Sequence, residues 1–191
     1  MRRCIALALA ACLSACAFSS KTPLLDPANA VTPFADGARF QWSADEGEDD
    51  FGPVQYQLAG SQTYQIDAID DGEQPMRAQF FDLPDTPEED YLVQVQFESG
   101  DARTYAFMWR SGDDYLIYLS PSILSHGPGP ALREAHCVTL RYQECELNSA
   151  DALHAIYRDL VYPSYVQYGM RQDVLVQSPL SDASQRIRPR K

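Results

Sequence analysis

The 191-residue chain is 45% hydrophobic, enough to fold around a real core, and its length suits one domain better than two. Its formal charge of −12 argues against nucleic acid and anionic lipid headgroups as direct partners. Acids concentrate in Asp45–Asp50 and Asp82–Asp90, whereas Arg186, Arg188, Arg190 and Lys191 make the far end basic; these runs read as solvated loops and a disordered tail over 179–191.

In chain order, Arg2 and Arg3 come first and precede an apolar run from Ile5 to Leu13. The run is too short to span a bilayer and ends in Leu13-Ser14-Ala15-Cys16. This arrangement resembles the lipobox of bacterial lipoproteins. The resemblance implies a signal peptide over 1–15, cleavage before Cys16, and acyl chains on the Cys16 thiol and on the new amino group. At roughly 0.8 kcal/mol per buried methylene, several chains anchor stably where one does not. In that family Ala17, standing where an aspartate would retain the protein at the inner membrane, favours the outer one. The partner so implied is the bilayer, reached through Cys16, and the location is the periplasm-facing side of a Gram-negative outer membrane. Loss of Arg2 and Arg3 would take the formal charge from −12 to −14.

The cysteines fit the same reading. Cys4 and Cys12 leave with the signal and Cys16 carries lipid, so Cys137 and Cys145 remain as an even pair. In an oxidising compartment they are expected to form a disulfide. An extended segment between them would span on the order of 25 Å, whereas bridged Cα atoms lie about 5 to 6 Å apart. The residues from Val138 to Glu144 must then fold back. Two other readings stay open: a continuous strand through Val138, Leu140 and Tyr142 with free thiols, and a metal site with His136 and His154, whose spacing matches no zinc pattern.

Residues 16–36 carry Pro23, Pro27 and Pro33 without sustained periodicity and read as a lipidated N-terminus followed by a flexible tether. A single β-rich domain is expected over 37–178. From Phe40 onward the period becomes two. Val54, Tyr56 and Leu58 share one face against Gln55 and Gln57, and Tyr64, Ile66 and Ala68 repeat the pattern. Further strands are expected over Met76–Leu83, Tyr91–Phe97, Thr104–Arg110 and Tyr115–Ser120, with a last one near Asp173–Gln177. Gly60-Ser61, Asp71-Gly72, Ser99-Gly100-Asp101 and Ser111-Gly112-Asp113 supply turn residues. Connections this short join antiparallel neighbours, since a parallel crossover needs a dozen or more residues. The fold class is therefore mainly β, an antiparallel meander or small barrel of six to eight strands.

One amphipathic helix follows the strands. Ser149 reads as its N-cap, and Leu153, Ile156, Tyr157 and Leu160 recur at helical spacing until Pro163 ends the run. Its stripe is expected to plug or flank the meander. A shorter helical turn over Ala131–Ala135 has less support.

The search for chemistry finds no nucleophile elbow, no zinc-binding helix motif and no phosphate-cradling loop. Catalytic residues, metal ligands and cofactors are therefore all read as none. His154 reads as a helix residue. Ser125 and His126 are sequence neighbours, which seldom aim at each other, and the Cys137 thiol beside His136 is consumed by the disulfide. The run from Asp67 to Gly72 places a glycine as a calcium loop would, but Ile69 and Ala78 stand where ligands belong. Alternation groups Tyr105, Phe107 and Trp109 with Tyr115 and Ile117 on one face, either a core or the interior of a partly empty barrel. A lipocalin-like carrier is similar in architecture alone, since Gly37 and Trp42 are too far apart for that family's opening motif.

Three function classes remain. The leading one is a non-catalytic outer-membrane lipoprotein that is an envelope structural or protein-interaction module. The second is an envelope binding module, either for an apolar small ligand inside a barrel or for a basic protein such as a lysozyme on the acidic surface. Periplasmic lysozyme inhibitors are similar in size and β content, but none of their inhibitory loop residues aligns here. The third is an enzyme with an unrecognised site. An empty interior would favour the carrier; a filled one with an exposed apolar patch would favour protein contact.

Overall fold

Eight antiparallel strands close on themselves, and their sequences explain the closure. Most alternate apolar residues with polar ones, so that curling the sheet gives the apolar faces a common interior, and three neighbouring strands are apolar on both faces because their outer side is covered as well. The computed structural model describes residues 18–44, 50–69, 75–83, 86, 89–97, 102–125, 127–139, 145–170 and 174–180. The expected signal segment, Cys16, the residues from 181 onward and the turns Asp71-Gly72 and Ser99-Gly100-Asp101 lie outside these residues.

The strands are β1 (Phe18–Ser20), β2 (Ala38–Ala44), β3 (Asp50–Leu58), β4 (Tyr64–Ala68), β5 (Met76–Asp82), β6 (Tyr91–Phe97), β7 (Arg103–Ser111), β8 (Asp114–Tyr118), β9 (Cys137–Thr139), β10 (Cys145–Leu147) and β11 (Val174–Pro179). From β2 to β8 each strand pairs with the next. Strand β11 then inserts between β8 and β2 and closes the barrel. The tightest connection is the two-residue loop between Ser111 and Asp114, where Gly112 takes a φ of +65° that a side chain would resist.

A small side sheet branches from β7. Beyond the point where β8 peels away, β1 pairs antiparallel with Arg103–Tyr105 and parallel with β10, which pairs with β9. The antiparallel small barrel expected from the short connections is what the structure has; β1 and β10 fall outside that expectation and pair in parallel, being too far apart in sequence for a short turn to dictate their direction. Cys137 and Cys145 form a disulfide with Cα atoms 5.0 Å apart, and β9 and β10 run antiparallel as that bridge requires.

Two helices pack outside the barrel. Helix α1 spans Gly129–His136, longer than the expected turn. Helix α2 spans Ala150–Ile156, and the Ser149 hydroxyl caps it by accepting from the Ala152 N–H at 3.3 Å. The chain then winds on through wider π-type turns over Tyr157–Gln167. Pro163 was expected to stop the run; the wider turns accommodate a residue that lacks an N–H. This stretch flanks the barrel and does not plug it. Tyr157 meets Phe107 at 5.6 Å between ring centroids, and Tyr165 meets Trp109 at 5.9 Å and Tyr118 at 4.5 Å.

Two expectations change here. Residues 18–36 are built into the fold and do not hang as a tether: Phe18 is 0% exposed, Leu25 and Ala30 join the outer core, Val31 bridges to Phe80, and Phe34 enters the barrel. Their burying partners are far along the chain, so no local periodicity announces them. The second change concerns β7. Met108 pairs with Ile117 and Arg110 with Tyr115, so Tyr115 and Ile117 share the interior with Ala106 and Met108. Tyr105, Phe107 and Trp109 point out, beneath the side sheet and the helix. A one-residue difference in register exchanges the two faces of a strand.

Candidate functional site

The barrel interior is filled at one end and open at the other. Phe34 fills the closed end, edge-on to Phe40, Tyr56, Tyr64, Phe80 and Tyr115 with centroids 4.9 to 6.2 Å away. Its backbone is served as well as its ring. The Tyr64 hydroxyl accepts from the Phe34 N–H at 3.1 Å and donates to its carbonyl at 2.6 Å, so a loop enters an apolar barrel without stranding polar groups.

The open end holds a cavity of about 50 Å3. Its walls include Ile66, Val95, Ala106, Met108 and Ile117, and its rim is formed by the half-buried Trp42, Met76, Phe97, Leu119 and Leu175. An engineered apolar cavity of about 150 Å3 takes a benzene ring; this one, as folded, suits the tip of an alkyl chain or an aliphatic side chain. Its rim side chains are not fully packed, and unbranched Met76 in particular adapts to what enters.

Gln177 of β11 separates the two ends and is 0% exposed. Its Oε1 accepts from the Trp42 indole N–H at 2.9 Å and from the Tyr56 hydroxyl at 2.5 Å. An indole nitrogen can only donate, which fixes the orientation of the amide. Among the described residues the Gln177 Nε2 has no hydrogen-bond partner. Burial pushes the Tyr56 hydroxyl far above its ordinary range, so it stays protonated. The lining is almost wholly apolar, with Thr104, Trp42 and Tyr56 the residues in it that carry a polar side-chain atom; it contains no carboxylate, imidazole, thiol or amine.

The residues singled out from sequence are not brought together. Cys16 and His126 lie outside the described residues. The disulfide sits on the side sheet, His136 ends α1 beside it, and His154 lies on α2. Among the described residues no group of three or more His, Cys, Asp or Glu is arranged to hold a metal ion, and no helix is long and apolar enough to cross a membrane. Sequence reasoning missed Gln177, which it counted only as part of a last strand; a glutamine at an inward position between Leu175 and Pro179 was the available signal. It also missed Asp90, 0% exposed, whose Oδ2 accepts from the Tyr157 hydroxyl at 2.5 Å and ties the helix to the barrel. No family model matches this chain, and neither does any curated protein or solved structure.

Proposed function

We propose that the protein is a non-catalytic, lipid-anchored binding module of the bacterial envelope that receives an apolar group in the open end of its barrel. The anchor rests on the order of Arg2, Arg3, the apolar run and Cys16. The binding role is carried by the apolar cavity, because a closed eight-stranded barrel is wide enough either to be filled by its own side chains or to hold one small ligand. Here Phe34 and its neighbours fill one end, and the other keeps a small apolar cavity. The partner is then a molecule or protein that presents a slender aliphatic tip. Absence of acid and base groups from the lining supports binding over catalysis.

The test is a titration of the purified protein with 1-hexanol, followed through the methyl resonances of Met76, Ile117 and Leu175. Saturable shifts at these three are expected. They should vanish in Ala106→Phe, which fills the cavity, and weaken in Leu175→Glu, which charges the rim. Shifts that are absent, or that survive both substitutions, would overturn the proposal.

A further inference from the structure

We propose that the open end of the barrel takes the tail of a second copy of this chain, with Ile187 as the group that enters, an inference that rests on the reading of that end as a receiving site for an aliphatic tip. Residues 181–191 lie outside the described residues, and their sequence supplies the match. Ile187 is the one large apolar residue among them. It stands between Arg186 and Arg188, with Arg190 and Lys191 close behind and Asp182 as the single acid.

The mouth is apolar at its centre and acidic in its connections. Trp42, Met76, Phe97, Leu119 and Leu175 are half-buried around a cavity sized for an aliphatic side chain, and Ile69, just after β4 at the same end, is 36% exposed. The ends of β2, β4 and β6 and the starts of β3, β5 and β7 all lie at this mouth, as their pairings require. The residues that join them, 45–49, 69–75 and 98–102, hold four, three and two acids and no lysine or arginine. Arg77 and Arg103, on the outer wall near this end, offset only part of that charge. An aliphatic residue flanked by guanidinium groups complements such a mouth both in apolar contact and in charge.

Distance assigns the tail to another molecule. Strand β11 carries the chain away from the mouth: Leu175 pairs with Ala44 near the rim, Pro179 pairs with Phe40, and the Leu180 N–H donates to the Arg39 carbonyl at 3.0 Å, at the end that Phe34 fills. Ile187 lies seven residues further on and reaches at most about 25 Å from Leu180. To enter its own barrel the tail would have to run back the length of β11, roughly 20 Å, and then cross the wall at the rim, about 10 Å more. That path exceeds the reach. A second copy that brings its closed end to this mouth meets no such limit. Tail and mouth are different surfaces, so the contact is head-to-tail.

The experiment is sedimentation velocity on residues 16–191 carrying Cys16→Ala, which removes acyl chains as a cause of association, over a range of protein concentrations and with the Leu175 methyl resonances followed in parallel. Association that grows with concentration and shifts those resonances is expected. It should weaken about tenfold or more in Ile187→Asp, which leaves the described fold untouched. Salt at about 0.5 M should weaken it by screening, and excess 1-hexanol should reverse it by competing for the cavity. Association that persists in Ile187→Asp or in excess 1-hexanol would mean that another face joins the copies and would overturn the inference. A monomer whose Leu175 resonances move in Ile187→Asp would put the tail in its own mouth and overturn it too. A monomer indifferent to Ile187→Asp that still binds 1-hexanol would overturn this inference and leave the apolar site standing, whereas failure of 1-hexanol as well would remove both.

Discussion

Phe34 decides what the barrel can hold. It arrives from a stretch without strand or helix periodicity, yet five rings surround it and Tyr64 serves its backbone. Phe34→Ala should cost about 3 to 5 kcal/mol, the range for removing a buried aromatic ring, and urea unfolding would measure it. A loss below about 1 kcal/mol would mean that the plug is dispensable. The buried tyrosines set a second expectation. Desolvation raises the hydroxyls of Tyr56, Tyr105 and Tyr115, with the Glu89 carboxylate adding to the effect at Tyr115. In the unfolded chain they ionise near pH 10, whereas folding holds them protonated to higher pH, most firmly at the deeply buried Tyr56. Stability should therefore be unaffected by these groups below about pH 10 and decline above it, by up to about 1.4 kcal/mol per pH unit for each tyrosine. Tyrosinate absorbance during unfolding at rising pH would check the sign; a fold indifferent to pH between about 10 and 12 would contradict it.

Among the elements, the side sheet depends on its crosslink. Strands β9 and β10 have three residues each, and β10 is what β1 lies against. Replacing Cys137 and Cys145 by serine should cost about 2 to 3 kcal/mol for so short a loop. Amide exchange should accelerate first in β9, β10 and β1, with the barrel strands slower; uniform acceleration would place the disulfide's effect in the barrel instead. The elements also show which features the sequence makes legible. Strand β4 alternates cleanly and β6 does so apart from Leu92, which joins the outer core, and their bounds, Tyr64–Ala68 and Tyr91–Phe97, could be read directly. The same alternation gave the pairs of faces along β7 and β8 but not how they match, because parity across a hairpin is set by the turn register at Ser111 and Asp114. Strands β1, β9 and β10 are too short for any period to appear.

For the whole molecule, closure is the feature that adjacent-strand reasoning reached only as an alternative to an open sheet. The strand that completes it, β11, arrives after both helices and pairs with β8 and β2, a match made by tertiary packing. The open end was illegible for the same reason, since its rim takes residues from β2, β5, β6 and β11, with Leu119 just after β8, that meet only after closure. The packing of residues 18–36 changes what an anchor would do. Phe18, buried on the barrel wall, is two residues from Cys16, so acyl chains on Cys16 would start within about 7 Å of the folded domain. A barrel so anchored would act at the membrane surface and would not reach across a compartment. Intact mass of the protein taken from native membranes, beside a Cys16→Ala variant, tests this account most directly. The account predicts a chain that begins at Cys16, is heavier by its acyl chains, and gains one hydrogen per bridged cysteine on reduction, with the variant lost from the membrane fraction. An unmodified chain cut elsewhere and recovered in the soluble fraction would contradict it.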